Sequence, residues 1–224
     1  MRKTLFIALF QLLCIGTKAQ LVTSEELMQL KYEAFGTENF KTIAKRLSEH
    51  MTLDKNRAIN YSKVIEAEGK TKDELFETAR LWVTSKFSAS NCDIRLVDKE
   101  MGCIIAQGYV AKVAVNSTLK NIYSVNLRPV LKIDVKEGRA RITFTLSSYS
   151  ISNEGITSGI FNPNIHSEEE WEVASRYPFG NGYNEKTSAM ACVMTHLCAT
   201  VFIKLAEQAL KEGAKAMRQE DEDW

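Results

Sequence analysis

The hydrophobic positions of this chain follow two periods, and the change from one to the other divides it. Between residues 24 and 50 the apolar side chains recur every three or four positions, as Leu27, Leu30 and Ala34 and then as Phe40, Ile43, Ala44 and Leu47. That spacing lays one apolar stripe along each of two short helices. Thr23 with Glu26 reads as a capping box for the first, Gly36 as its stop, and Thr37 as the cap of the second. A short strand at residues 61–68 follows and ends at Gly69. Leu75, Phe76, Ala79, Trp82, Val83 and Phe87 then return to the helical period behind another capping box, Thr71-Lys72-Asp73-Glu74. The charges in this stretch have structural work, since Thr71 and Glu74 cap reciprocally and Asp73 faces the positive end of the helix dipole.

Beyond residue 90 the period becomes two. Residues 91–97 and 103–115 read as strands joined by Asp98-Lys99-Glu100-Met101-Gly102, with Gly108 marking a bulge in the second. The clearest strand places Tyr123, Val125, Leu127, Pro129, Leu131, Ile133 and Val135 in alternation with Ser124, Asn126, Arg128, Lys132 and Asp134. Strict alternation means one buried and one wet face, and Pro129, which has no N–H to donate, implies a bulge or an edge. Lys136-Glu137-Gly138-Arg139 turns the chain into a last strand with Ala140, Ile142, Phe144 and Leu146 inward and Arg141, Thr143, Thr145 and Ser147 outward.

Residues 153–186 show neither period. They hold Pro163, Pro178 and four glycines, with one short helix expected where Ser167 and Glu170 form a cap pair. Residues 187–217 read as a long helix whose first half, 189–203, is nearly all apolar and is expected to be buried on the sheet. The expected fold is therefore α+β: strand, helix, four antiparallel strands, helix, as a curved sheet with helices on one face, preceded by a helical pair. The organisation is a leader at 1–19, the helical segment 20–58, a core at 59–152, the irregular stretch 153–186, the helix 187–218 and an acidic tail at 219–224.

The leader rests on the first residues. Arg2 and Lys3 precede an apolar run from Leu5 to Ile15, and Thr17-Lys18-Ala19 offers small residues before a cut at Ala19/Gln20. This is the secretory pattern, in a run too short to cross a bilayer. Bulky Leu13 ahead of Cys14 argues against a lipid anchor. Export to the periplasm or the cell surface follows as the expectation. Cleavage also changes the charge: of 29 basic and 28 acidic residues, losing Arg2, Lys3 and Lys18 leaves 26 against 28, a net −2. Such a chain lacks the basic footprint of a nucleic-acid binder. No later segment reads as long and apolar enough to span a membrane.

Four cysteines remain, Cys92, Cys103, Cys192 and Cys198, in no zinc or redox spacing. An oxidising compartment leaves three pairings open, while buried free thiols are the plainer expectation. His50, His166 and His196 have no metal partner at helical spacing, and no Ser-His-Asp or Cys-His order stands out. No catalytic residue, metal ligand or cofactor is expected. Two surfaces are left as binding candidates. One is the wet sheet face of Ser124, Asn126, Arg128, Thr143, Thr145 and Ser147. The other is the aromatic set Phe161, Trp171, Tyr177, Phe179 and Tyr183 in the long irregular stretch, for which the alternative is an apolar cluster sealing the sheet edge.

Three blocks, "YSKVIEAEGKTKDELFETARLW", "DIRLVDKEMGCIIAQG" and "LKIDVKEGRARITFT", resemble in this order a family of exported bacterial proteins of unknown function, DUF4468. The resemblance spans roughly residues 60 to 152. It implies a TATA-binding-protein-like fold and an envelope location, and it carries over no catalytic residue. TBP-like describes the fold and not DNA binding. The expected function is a non-enzymatic module holding a protein or glycan partner in the envelope. An envelope hydrolase with an unrecognised site and a self-assembling structural subunit are the alternatives.

Overall fold

In the computed structural model, which describes residues 22–88, 91–117, 121–155, 166–180, 182 and 184–213, both capping boxes form. In helix α1 (Ser24–Phe35) the Glu26 amide donates to Thr23 Oγ1 at 3.2 Å, and the Thr23 amide donates to the Glu26 carboxylate at 2.8 Å. Helix α2 (Phe40–Ser48) is capped by Asn39, whose side chain accepts from the Thr42 amide at 3.0 Å, and not by Thr37. Helix α3 (Lys72–Lys86) starts from Thr71 as expected, its box closed by Thr71 and Glu74 at 2.9 and 3.2 Å. The leader, Phe161, Tyr183 and the acidic run 220–223 lie outside the described residues.

The strands are β1 (Ile59–Glu66), β2 (Asp93–Asp98), β3 (Cys103–Gln107), β4 (Val110–Ser117), β5 (Asn121–Leu127), β6 (Val130–Lys136), β7 (Arg139–Leu146), β8 (Ser148–Gly155) and β9 (His166–Glu172). They form two antiparallel sheets, ordered β1-β7-β6-β3-β2 and β4-β5-β8-β9, where one curved sheet was expected. The two long strands of the sequence reading each break once and continue in the other sheet. The first breaks at Gly108, whose amide donates to the Pro129 carbonyl at 2.9 Å; the second breaks at Arg128-Pro129. Proline cannot extend the ladder and glycine tolerates the bend, so the punctuation marks corners between sheets. A Cβ on Gly108 would lie 3.3 Å from the rings of Phe202 and Phe87, so the helices come closest to the strand where it turns. The short helix expected at Ser167–Glu170 is instead strand β9, paired antiparallel with β8; its alternating Ser167, Glu169 and Trp171 fit a strand. The helix after it is the single turn Val173–Arg176, α4.

Helix α5 (Glu185–Glu212) is 28 residues long, about 42 Å at 1.5 Å per residue, which lets it lie under both sheets and against α1, α2 and α3. By length and composition it is apolar enough to cross a membrane, contrary to the sequence expectation. Its apolar side chains are used inside the fold, where 67% of the most apolar stretch is buried. Lys70 Nζ caps its C-terminal end, donating to the carbonyls of Leu210 and Lys211 at 2.6 and 2.7 Å. Phe202 sits at the centre of an edge-to-face series, with Phe144 of β7 at 5.8 Å and Phe87 at 6.0 Å between ring centres.

Candidate functional site

The inner side of the five-stranded sheet is covered by α3 and α5, and Ile65, Leu131, Ile133, Ile142 and Phe144 there are buried. Alternation therefore turns Asn60, Ser62, Val64, Lys132, Asp134, Arg139, Arg141, Thr143 and Thr145 to the outer side. Thr143 and Thr145 stand there as read from the sequence, bonded across to β1. Asn60 Nδ2 donates to Thr145 Oγ1 at 3.2 Å, and the Ser62 and Thr143 hydroxyls lie 3.4 Å apart. Asp134 is the charged centre of this side. Lys132 Nζ reaches it at 2.8 Å and the Arg141 guanidinium at 2.9 and 3.3 Å. Burial pushes the Asp134 carboxyl up, but the hydrogen bonds and charges of Lys132 and Arg141 outweigh that and hold it below its usual range. Beside it, Val64, Asp134, Lys136, Arg139, Ala140 and Arg141 line a half-open basin of about 220 Å³.

Ser124 and Asn126 do not share that surface. Both belong to the four-stranded sheet and are buried, 3% and 2% exposed. Both stand opposite the apolar parity of Val125 and Leu127, and a register shift between Val110 and Ala114, with Lys112 at φ +53°, brings the β4 backbone onto Asn126. The Lys112 amide donates to Asn126 Oδ1 at 2.8 Å, and Asn126 Nδ2 donates to Ser152 Oγ at 3.0 Å. Short side chains in a bulged ladder are consumed by it. Arg128 is exposed at the corner between the sheets, its guanidinium over the Tyr109 ring at 5.3 Å.

Of the aromatic candidates, Trp171, Tyr177 and Phe179 lie among the described residues, and all three pack within the chain. Trp171 meets Tyr123 edge to face at 5.5 Å, with the Arg176 guanidinium 4.2 Å from its ring centre. Tyr123 in turn donates to Asn184 Oδ1 at 2.6 Å, tying β5 to the start of α5. Phe179 packs on the core with Lys41 Nζ of α2 over its ring at 5.5 Å. Tyr177 donates to the Met51 carbonyl and so fastens the N-terminal segment.

A second cluster, unread from the sequence, gathers Tyr61, Met51, Tyr149, Tyr177, Cys192 and His196. Tyr61 Oη is 2.7 Å from His196 Nδ1 and touches the Met51 thioether. Burial raises Tyr61 and Tyr149 far above the usual phenol range and pushes Tyr177 and Cys192 up to about 12; the same desolvation lowers His196. Every member is thus neutral at pH 7, an arrangement suited to holding β1, β8, α5 and the N-terminal segment together and poorly suited to nucleophilic attack. Cys192 and His196 are four residues apart on α5, but Met51, Tyr61, Tyr149 and Tyr177 come from distant parts of the chain, so spacing alone could not have assembled the cluster. The four described cysteines are unpaired; Cys103, Cys192 and Cys198 are buried and Cys92 partly so. Among the described residues no three His, Cys, Asp or Glu side chains are grouped to hold a metal ion.

The His196 arrangement has a pH signature. The unfolded chain, with an ordinary histidine value of about 6.5, takes up this proton before the folded one as pH falls. Stability is then full above about pH 6.5 and declines below it until the lowered native value is passed, by at most about 1.4 kcal/mol per pH unit for one proton. Denaturant unfolding at pH 7.5 and 5.5 measures the difference. His196→Gln should remove this part of it, and an unaltered difference would assign the effect to other groups.

Residues 61–150 match the family model described as "Domain of unknown function (DUF4468) with TBP-like fold", the family that the three sequence blocks resemble. Among solved structures, this chain is similar to a TBP-like protein from Parabacteroides distasonis, at 16% identity over 70% of this chain and 97% of that one, with a TM-score of 0.45. It is also similar to a DUF4468 family protein from Bacteroides ovatus, at 10% identity over 70% and 90% of the two chains, with a TM-score of 0.46. None of the curated proteins matches the chain.

Proposed function

We propose that this chain, with a DUF4468 domain of TBP-like fold over residues 61–150, is an exported, non-enzymatic binding module. It works in the periplasm or at the cell surface and holds a partner on the outer side of its five-stranded sheet. One observation carries the reading. Both covering helices lie on the inner side, while Asn60, Ser62, Val64, Arg139 and Arg141 remain exposed on the outer side around a basin. A rigid ladder with polar groups at fixed spacing and apolar Val64 among them provides area and orientation without ordering cost. Export is supported by the leader pattern of residues 1–19, and a mature N-terminus at Gln20 in protein recovered from the envelope fraction is its check.

Cross-linking of tagged protein in intact cells, followed by mass spectrometry, tests the binding reading. A partner captured by the wild type is expected to be lost with Thr143→Arg, which fills the middle of the outer side, at an unchanged melting temperature. Retention in Thr143→Arg with loss in Trp171→Ala would move the site to the aromatic cluster. Self-cross-links alone would make the chain an assembly subunit instead.

A further inference from the structure

The basin on the outer side has an excess of positive charge that the fold does not neutralise. A two-residue turn, Glu137-Gly138, sets Lys136 of β6 directly opposite Arg139 of β7, and like charges in that position repel. The turn is pinned and cannot splay them: the Gly138 amide donates to the Lys70 carbonyl at 3.1 Å, the Ala67 amide to the Gly138 carbonyl at 2.8 Å, and the Lys72 amide to Glu137 at 2.9 Å. Asp134, the one acid in the lining, is already occupied by Lys132 and Arg141. Glu66 lies opposite Arg139 on β1, yet among the described residues neither Lys136 nor Arg139 makes an ion pair. The floor between them is apolar, with Val64 51% exposed and Ala140 beneath. At about 220 Å³ the space falls below the usual range for a whole small-molecule ligand, roughly 300–1,000 Å³, and suits a single side chain.

We propose that this basin is a carboxylate site, in which Lys136 and Arg139 receive an Asp or Glu side chain from an acidic segment of a partner protein. The proposal rests on the reading of the outer sheet side as the binding surface and gives that surface its chemistry. Arg139 supplies a guanidinium fork that matches a carboxylate, Lys136 a mobile second donor, and Val64 takes the methylenes of the incoming side chain. Bringing in one anion relieves the cross-strand repulsion, so binding and local stability rise together. Being solvent-exposed, the contact weakens as salt is raised.

Titration of the full chain with an acetylated, amidated tetraglutamate peptide at fixed ionic strength tests this, with tetraglutamine as control. Saturable shifts of the Val64, Arg139 and Arg141 amide signals are expected with tetraglutamate alone. They should weaken at least tenfold in Lys136→Gln/Arg139→Gln, at a melting temperature no lower than that of the wild type, since the substitutions remove the cross-strand repulsion. Absence of saturable shifts, or equal binding by the double variant, overturns the site. Tighter binding of glucuronate than of tetraglutamate overturns the peptide assignment in favour of an acidic glycan. If binding appears only after Glu220, Asp221, Glu222 and Asp223 are replaced by their amides, the occupant is the chain's own acidic run and the partner assignment fails. A cellular partner lost with Thr143→Arg but kept by the double variant overturns the carboxylate site and leaves the binding surface standing. A partner kept by both overturns the surface itself.

Discussion

Phe202→Ala should destabilise the protein by about 3–5 kcal/mol, the range for truncating a fully buried aromatic side chain. Phe202 is 1% exposed and is the meeting point of three parts of the fold. Its ring stands edge to face on Phe144 of β7 and Phe87 after α3, and it lies under Gly108, where the chain passes from one sheet to the other. Phe87 continues to Trp82 and Phe144 to Tyr61, so the series joins α3, α5, β7 and β1. The vacated space is walled by ring edges held from several elements, which leaves little room for collapse. Urea unfolding should show a lower midpoint at an unchanged slope. A loss below about 1 kcal/mol would mean that the corner repacks freely, contrary to the close approach at Gly108.

Gly102→Ala should cost about 2–5 kcal/mol, from two causes that add. Its φ of +67° is strained for any residue with a Cβ, at about 1–2 kcal/mol. An added Cβ would also lie 2.6 Å from the Val135 carbonyl oxygen, and clashes of that kind cost about 1–3 kcal/mol. The backbone cannot step aside easily, because the Val135 amide donates to the Gly102 carbonyl at 2.7 Å. Gly138 separates the causes: its φ is +66°, but nothing lies within 4 Å of an added Cβ. Gly138→Ala should therefore cost only the conformational part. Equal losses in the two variants, measured by the same unfolding assay, would remove the clash from the account.

The elements, and the family pattern of residues 61–150, were legible in the sequence to different depths than the sites. Capping boxes at Thr23 and Thr71 formed as read, because a cap is an interaction over three residues that nothing distant has to supply. Strand parity also held: Val125, Leu127, Leu131, Ile133 and Val135 are all buried. The misreadings came where one local pattern had two physical outcomes. Ser167 with Glu170 fits a cap pair and also fits two positions of a polar edge strand, and pairing with β8 decided for the strand. Thr37 and Asn39 can both cap, and the chain starts the helix from Asn39. The helix Glu185–Glu212 is by length and composition apolar enough for a buried helix or a membrane span, and within the fold it lies beneath both sheets.

For the candidate surface, periodicity could say that Thr143, Thr145, Ser124 and Asn126 point away from the apolar side. It could not say that Ser124 and Asn126 would be buried, Asn126 by accepting from the backbone of a bulge in β4. Lys136 and Arg139 carried a readable signal, since two cations flanking a two-residue turn must face each other. That Asp134 would be taken by Lys132 and Arg141, leaving those two without an ion pair, depends on which rotamers β6 and β7 place side by side.

By itself the sequence determined where α1 and α3 begin, which side of the core strands is apolar, and that residues 61–150 share a family pattern, because these follow from contacts a few residues long and from side-chain period. The tertiary structure decided the break into two sheets, the neutral Tyr61–His196 cluster and the unneutralised basin. Each of these depends on groups brought together from distant parts of the chain, where packing and the competition for charge partners, and not local preference, set the outcome.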